Sequence, residues 1–310
     1  GALASDTLGA QSVAVGANSL QSQNFTTATN ALNTGVGYYA GQSVTTGVNN
    51  TFVGGLAGDG TDDGDHNVAV GKSALSANCG DSNTAVGKEA LGVTTASNNT
   101  AVGNQAGKTI STGTNNVCIG GESGLSTNLT TGTGNVLIGQ YSHPSAADAN
   151  YANGIGYDIN AEAGYTTLGK SSDDIRAAHG TASWATVSDE RYKKDIEDST
   201  AGLSFINALK PRTFKYKNLG ELPETFQAYV ANSTDVFKNS NTNHGFIAQE
   251  VKTAIDADSS IKDGFKLWDD REDGSQEVAE AALIPVLTKA VQELSTALDA
   301  ALARIATLEG

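Results

Sequence analysis

Short apolar stretches recur at nearly constant intervals through the first half of the chain, and each one ends in glycine. Most of the intervals are 16 or 17 residues. The units read SVAVG, NTGVG, NTFVG, NVAVG, NTAVG, NTAVG, NVCIG and NVLIG, with weaker copies NGIG and TTLG, and they end at Gly16, Gly37, Gly54, Gly71, Gly87, Gly103, Gly120, Gly139, Gly156 and Gly169. A strand this short cannot bury enough apolar area by itself, so successive units must stack. The pattern predicts a mostly β fold with a parallel β-roll or β-helix over residues 1–170.

Two further positions recur with the same period. The glycine permits a positive φ or a close backbone approach at each corner. Asparagines stand at matching places, among them Asn83, Asn99, Asn116 and Asn135, and they are expected to form ladders between the rungs.

Three stretches are expected to break the period, residues 17–32, 59–66 and 121–134. Insertions in solenoids become surface loops, often on a functional face, although plain solvated loops are the alternative. The stretch 59–66, DGTDDGDH, is acidic but lacks the spacing and the closing Glu of a calcium loop. We therefore expect no metal and no cofactor.

From Ser188 onward the composition changes to that of a small α+β domain, which gives three regions: repeats over 1–170, a connector over 171–187 and a domain over 188–310. Its last segment alternates apolar residues with spacings of three and four, as in a heptad repeat. These residues are Ile284, Leu287, Val291, Leu294, Leu298, Ala301, Ile305 and Leu308. The pattern favours a coiled coil over 284–308, and the alternative is an amphipathic helix that packs on its own domain.

The net charge, the length of the apolar runs and the cysteines limit which partners and sites are expected. The formal net charge is −15, which argues against nucleic acid or an anionic membrane surface as a partner, because phosphate groups need a basic face. No apolar run approaches the roughly 18 residues of a membrane span, so membrane insertion is not expected. Cys79 and Cys118 stand apart without metal-ligand spacing and are expected to be buried free thiols.

The repeat sequences NNTAVGNQAG and NTAVGKEAL resemble the head repeats of trimeric autotransporter adhesins and similar repeats in phage tail fibres. This resemblance covers roughly residues 10–170 and implies three chains packed side by side. The heptad alone locally prefers two strands. We favour a homotrimer, because the repeat region offers the larger interface.

Four ordered motifs in the second half, SDERYKKDI, LKPRTFKYK, HGFIAQEV and LIPVLTKAVQEL, resemble the intramolecular chaperone domain of endosialidases and phage tail fibres, the S74 peptidase family. The resemblance implies that Ser188 is a nucleophile, that Lys193 is its base, and that the cut falls between Val187 and Ser188. Asp189 and Arg191 match supporting positions of the motif. Judged on residue types alone, Ser188 is an ordinary helix N-cap.

These resemblances imply a homotrimeric phage tail fibre or tailspike in the virion, assembled in the host cytoplasm. Its repeats are expected to attach to a host surface glycan or envelope protein. Its chaperone directs trimer folding and releases itself as a self-cleaving serine peptidase with a single turnover, and nothing indicates an external substrate. The alternatives are a bacterial trimeric surface adhesin and a structural fibre whose chaperone is retained uncleaved.

Overall fold

The computed structural model describes residues 1–127, 129–181, 183–186, 188–258, 261 and 265–309. The chain divides into two compact units, Gly1–Tyr192 and Lys193–Gly310. The first is a β-solenoid and the second combines short strands with helices. The predicted fold class, mostly β with a small α+β domain that ends in a long helix, is confirmed.

The first unit is built from very short strands. They are β1 (Gly9–Ala10), β2 (Val13–Val15), β3 (Thr29–Asn30), β4 (Thr34–Val36), β5 (Thr51–Val53), β6 (Val68–Val70), β7 (Thr84–Val86), β8 (Thr100–Val102), β9 (Val117–Ile119), β10 (Val136–Ile138), β11 (His143–Pro144), β12 (Asn153–Tyr157), β13 (Asn160–Ala161), β14 (Tyr165–Lys170) and β15 (Asp173–Ala178). Within the described residues, eleven of these strands form one sheet in the order β15-β14-β12-β10-β9-β8-β7-β6-β5-β4-β2. All neighbours in it are parallel except β14 and β15.

The repeat aligns the same position of every unit into a column. Residues in the middle of the strands point inward, because side chains alternate between the two faces of a strand. Phe52, Ala69, Ala85, Ala101, Cys118 and Leu137 form this buried column. Side-chain size varies between rungs, and the neighbours compensate: Phe52 fits because a Cβ at Gly41 or Gly58 would lie within 2.7 Å of its ring.

The predicted asparagine ladder is present and buried. Asn33, Asn50, Asn67, Asn83, Asn99, Asn116 and Asn135 each have no exposed surface. The backbone N–H of each rung donates to the Oδ1 of the preceding asparagine, at 2.8 to 3.1 Å. Since a buried amide without a partner costs about 1–3 kcal/mol, this column satisfies groups that the interior would otherwise leave unpaired.

The glycine that ends each unit turns the chain out of its strand. At Gly87 φ is +135°, and the other glycines of this column range from +122° to +146°. Only glycine adopts this region readily. A Cβ at Gly87 would also lie 2.3 Å from the carbonyl oxygen of Gly103, so the next rung leaves no room for a side chain.

One of the three stretches expected to break the period does not break it. Residues 59–66 lie within an ordinary rung of 17 residues between Gly54 and Gly71, and their carboxylates bond to the neighbouring rung. Asp62 accepts from the Thr45 hydroxyl, and Asp65 Oδ1 accepts from the Val48 N–H at 2.8 Å. The prediction of an inserted loop was therefore wrong here. Residues 17–32 and 121–134 do belong to longer rungs.

The sheet ends in an antiparallel edge strand. β15 pairs with β14, with Thr167 opposite Arg176, and reverses the direction of the ladder. It carries Asp173 and Asp174, and charged residues on an edge discourage pairing with other sheets. β15 lies within the range 171–187 that the sequence suggested as a connector.

The second unit has a smaller core. Its helices are α1 (Leu203–Ala208), α2 (Ala248–Ala257) and α3 (Leu283–Glu309), and its strands are β16 (Arg212–Phe214), β17 (Asn243–Gly245), β18 (Trp268–Asp270) and β19 (Gln276–Val278), with short 3-10 turns at Leu219–Glu221 and Glu280–Ala282. The buried residues are Ala201, Phe205, Val251, Ala254, Ile255, Leu267, Leu283 and Val286. β16 pairs with β17 and β18 with β19, both antiparallel.

Helix α3 has two apolar faces. Leu283 and Val286 belong to the core of the second unit, and Ala290 is buried on the same face of the helix. The other apolar face is the predicted heptad, and its large residues are 45–78% exposed in the single chain. The prediction of a long C-terminal helix is confirmed, and the face that packs on its own domain is an addition to it.

Candidate functional site

The segment that precedes Ser188 is held against the edge of the solenoid sheet. Ala185 forms an antiparallel bridge with Arg176 of β15. The Arg176 N–H donates to the Ala185 carbonyl at 2.9 Å, and the Ala185 N–H donates back to the Arg176 carbonyl at 2.7 Å. The Arg176 side chain pairs with Glu162 and lies over the Tyr165 ring, 5.1 Å from its centroid. Val187 lies outside the described residues.

Ser188 is exposed and precedes a single 3-10 turn, Glu190–Tyr192, where the sequence allowed a longer helix. The residue that caps this turn is Asp189. Its Oδ1 accepts from the Arg191 N–H at 2.9 Å, and its carbonyl accepts from the Tyr192 N–H at 3.1 Å. Asp189 therefore performs the capping role that the residue types had suggested for Ser188.

Asp189 and Arg191, the two supporting positions of the motif, form a bidentate ion pair. Arg191 Nε and Nη2 donate to the two carboxylate oxygens at 3.0 and 2.7 Å. This hydrogen bonding raises the pKa of Arg191 above its ordinary value. Together with the backbone bonds, the pair fixes the conformation of the residues that directly follow Ser188.

Lys193, the predicted base, is exposed in the single chain. The boundary between the two compact units falls directly before it, so Ser188 belongs to the first unit and Lys193 to the second.

Two of the four motifs meet in the second unit. LKPRTFKYK contributes β16 and HGFIAQEV contributes β17, with Thr213 opposite His244. Arg212 binds Glu250 through two bonds, Nε–Oε2 at 2.9 Å and Nη2–Oε1 at 2.6 Å. The Arg212 guanidinium lowers the pKa of Glu250. The strand pair lines an open cleft of about 420 Å³ with Pro211, Arg212, Thr213, His244, Gly245 and Phe246.

The fourth motif, at the start of α3, is tied to α1. The Glu293 carboxylate accepts from the Leu203 N–H at 2.8 Å, at the first residue of α1. An acceptor at this end is favourable, because the first N–H groups of a helix have no partner within it. Sequence reasoning missed this contact and the Arg212–Glu250 pair, although Arg212, Glu250 and Glu293 lie within the motifs that it quoted.

Neither buried cysteine is placed for chemistry. Cys118 is fully buried, and desolvation raises the pKa of its thiol to about 12. Cys79 is buried beside the Thr61 hydroxyl, and burial raises its thiol pKa as well. Both are free thiols, as expected.

Among the residues that the structure describes, acidic, histidine and cysteine side chains form no cluster suited to a metal ion. In that same part of the chain, no helix combines the length and apolar character needed to cross a membrane.

The comparisons with known proteins bear on the second half of the chain. Residues 188–258 match the family model Peptidase_S74, chaperone of endosialidase. This segment is therefore similar to the chaperone domain of endosialidases. The match begins at Ser188 and includes the first three motifs, and the family implies self-cleaving activity in general. A chaperone domain behind a β-solenoid fits the architecture of a tail fibre. No curated protein and no solved structure matches the chain.

Proposed function

We propose that this chain is a homotrimeric phage tail fibre or tailspike segment, located in the virion and assembled in the host cytoplasm. Its C-terminal chaperone domain directs the folding of the trimer and then releases itself by cutting between Val187 and Ser188. The observation that carries the proposal is the position of the family match, which starts at Ser188, ten residues after the last strand of the solenoid sheet ends at Ala178.

The outer face of the solenoid sheet supports assembly with other copies. One column of branched apolar side chains runs in register along this face, from the third residue of each strand of the sheet from β2 to β12 to the fourth residue of β14. It consists of Val15, Val36, Val53, Val70, Val86, Val102, Ile119, Ile138, Ile155 and Leu168. We call this the valine column. All ten side chains are exposed or half-buried in the single chain. A contiguous apolar strip of this length is typical of an interaction surface.

Helix α3 supports the same conclusion at the other end of the chain. Leu294 is 51% exposed, Leu298 59% and Ile305 49%, and they recur with heptad spacing. Packing between copies would cover these side chains, as the a and d positions of a coiled coil are covered. In this scheme, a short coiled coil between copies of α3 brings the chains together before the solenoid forms.

A solenoid of this kind has reason to need a chaperone. Each rung pairs with residues about 17 positions away, and the trimer adds contacts between chains. Non-local pairing folds slowly and exposes unpaired edges and apolar surface on the way. A domain that aligns three chains shortens that exposure. Its removal afterwards leaves the assembled fibre kinetically locked, because the released domain no longer promotes unfolding or refolding.

The self-cleavage uses Ser188 as nucleophile and Lys193 as base. The Ser188 hydroxyl attacks the carbonyl carbon of Val187 and gives its proton to Lys193, and a bond forms between that carbon and Ser188 Oγ. The Val187–Ser188 amide bond then breaks, and its nitrogen takes the proton from Lys193. A water molecule hydrolyses the resulting ester. Attack on the adjacent carbonyl needs little movement, so orientation supplies much of the rate.

Cleavage follows assembly in this scheme. Lys193 must be neutral when it accepts the proton, and burial is what disfavours the charged form of a lysine. Lys193 is exposed in the single chain, so packing of further chains would have to desolvate it. The reaction occurs once per chain and needs no external substrate.

Attachment to the host is assigned to the solenoid, with a cell-surface glycan or envelope protein as partner. Several tyrosines on its surface are exposed, among them Tyr38 at 57% and Tyr151 at 63%. Aromatic rings with a polar tip are common at binding surfaces. A bacterial adhesin would use the same repeats, but the match to the chaperone of endosialidase family from Ser188 onward favours a tail fibre.

The test is the mass and oligomeric state of the freshly expressed chain. We expect trimers that convert to fragments 1–187 and 188–310. Ser188→Ala and Lys193→Ala should form trimers of intact chains, because folding does not require the cut. Lys194→Ala changes the neighbouring lysine and should cleave like the wild type.

Two outcomes would contradict the proposal. A folded trimer that stays a single 310-residue chain after prolonged incubation would show that the dyad is inactive and that the chaperone is retained. A stable folded monomer would exclude the trimeric fibre.

A further inference from the structure

We infer that β15 is the docking strand for the segment that leads into the scissile bond, and that Arg176 and Ala185 are positioning residues for self-cleavage. This inference rests on the autoproteolysis proposed above. Its basis is the bridge between the two residues, which consists of two reciprocal backbone hydrogen bonds of 2.9 and 2.7 Å.

The bridge uses the outer edge of the solenoid sheet. In an antiparallel strand, the N–H and C=O of one residue point to the same side, and successive residues alternate between sides. Both groups of Arg176 bind Ala185, so they point away from β14. Arg176 thus contributes no hydrogen bond to the β14 ladder, although it lies opposite Thr167. The bond to Ala185 can be removed without breaking the pairing of β14 and β15.

The residue that forms the bridge is itself firmly placed. The Arg176 guanidinium pairs with Glu162 and covers the ring of Tyr165. Both partners precede β15 in sequence, and Tyr165 begins β14. Two sets of contacts therefore restrain Arg176: the pairing of β15 with β14, and the contacts of its side chain with Glu162 and Tyr165.

Docking at this position has a direct consequence for the reaction. One residue, Thr186, separates Ala185 from Val187, whose carbonyl carbon is attacked. An extended, anchored chain restricts the backbone conformations open to that carbonyl, and fewer conformations mean a larger share poised for attack. On the other side of the bond, Asp189 and Arg191 fix the turn that follows the nucleophile. The scissile bond thus lies between two segments that are each held.

The first test compares two proline variants. Ala185→Pro removes the N–H that donates to Arg176, whereas Trp184→Pro lies one residue earlier. The alternation of the strand points the Trp184 N–H away from β15, and no bond from it is present among the described residues. Both positions are exposed. We expect assembled Ala185→Pro trimers to cleave about tenfold more slowly than wild type, as for the loss of about one hydrogen bond in the transition state. Trp184→Pro should cleave at the wild-type rate.

A second pair separates backbone from side chain at Arg176. Arg176→Pro removes the N–H bond to Ala185, and Arg176→Ala keeps that bond but removes the guanidinium. We expect the proline variant to be slower than the alanine variant. The pH profile of cleavage should keep its shape in all four variants, because the nucleophile and base are unchanged. A variant that merely disturbed the fold would instead lower the trimer yield or the melting temperature.

The outcomes distinguish this inference from the function on which it rests. If wild-type trimers never cleave, the autoproteolysis fails and the docking role fails with it. If the wild type cleaves and Ala185→Pro trimers cleave equally fast, only the docking role is wrong. Equal slowing by Trp184→Pro and Ala185→Pro would also overturn it, because the effect would then not depend on the bridge.

Discussion

The two units of this chain differ in how much of their apolar and polar surface is covered within a single chain. The solenoid forms most of its interior hydrogen bonds within one chain: its buried asparagines bond from rung to rung, and its strands pair in register along the sheet. Among the described residues, the buried Asn67 Nδ2, Thr167 Oγ1 and Asp59 Oδ1 atoms have no hydrogen-bond partner. The second unit has a small core under α1, α2 and the start of α3, and from Val291 onward nearly all of α3 is exposed. Its long apolar face has no covering partner within the described residues of that unit.

The difference separates two sources of stability: contacts between repeated rungs within one chain, and contacts between chains. A repeated rung needs only its neighbours, so the solenoid gains stability with each copy of the unit. The heptad gains nothing until other chains arrive, because an exposed a/d face buries area only by association. In the proposed trimer, the valine column is the surface through which the solenoid also packs against other copies. Changes in α3 should therefore affect assembly, whereas changes in the rungs should affect stability.

The largest effect is expected from the heptad. Leu294→Asp combined with Leu298→Asp places charges in the seam and removes at least about 4 kcal/mol of packing per chain. We expect no trimer and no cleavage, since cleavage follows assembly in the proposed scheme. Sedimentation velocity gives the oligomeric state, and intact mass gives the cleavage.

A control with the same added charge sharpens this test. Thr296→Asp combined with Ala303→Asp alters positions outside the seam on the same exposed helix. This variant should trimerise and cleave. Trimers of the seam variant would refute the role of the heptad.

The sequence was sufficient to predict the solenoid because every rung repeats the same physical problem. The glycine corners and the asparagine ladder follow from position alone, and both are present. The acidic stretch 59–66 was misread, because a cluster of carboxylates within one rung resembles a loop or a site in sequence. Only the register reveals that Asp62 and Asp65 accept from Thr45 and Val48 of the preceding rung.

The candidate site was predictable in its motifs and not in its geometry. Ser188, Asp189, Arg191 and Lys193 are readable from the motif. The bridge between β15 and the segment before the proposed cut is not readable, because it involves only backbone groups, which every residue except proline carries in full. Such contacts emerge only when the edge of the sheet is known.

The next largest effect is expected within the rungs, at Gly87. Alanine there would need a φ of +135° and would bring its Cβ 2.3 Å from the Gly103 carbonyl oxygen. The backbone must shift, and we expect a loss of about 3 kcal/mol in the free energy of unfolding. Urea unfolding followed by the circular dichroism of the strands measures this loss.

Gly92 is a matched control in the same rung. Its φ lies outside the left-handed region, and the nearest atom to an added Cβ is 3.3 Å away. Gly92→Ala should change the stability by less than about 1 kcal/mol. Equal losses at Gly87 and Gly92 would mean that the stacking of the glycine corners does not limit the solenoid.

The smallest effect is expected in the second unit, where Asp273 ties two loops together. Its Oδ1 accepts from the Ser275 hydroxyl and N–H at 2.6 and 2.9 Å, and its Oδ2 accepts from the Gln227 N–H at 3.0 Å. These bonds, the Ser275 hydroxyl first, lower the pKa of Asp273 from 3.8 to about 2. A lowered carboxyl pKa stabilises the fold above the ordinary pKa of 3.8, and this contribution fades as the pH falls from there through about 2.

At about pH 6, Asp273→Asn should lower the urea midpoint of the second unit, and the fluorescence of Trp268 measures that midpoint. The difference from the wild type should shrink towards about pH 2. Asp269→Asn, a control on the exposed part of β18, should leave the midpoint nearly unchanged under the same conditions. A difference between wild type and Asp273→Asn that stayed constant over this whole pH range would show that the charge of Asp273 contributes nothing.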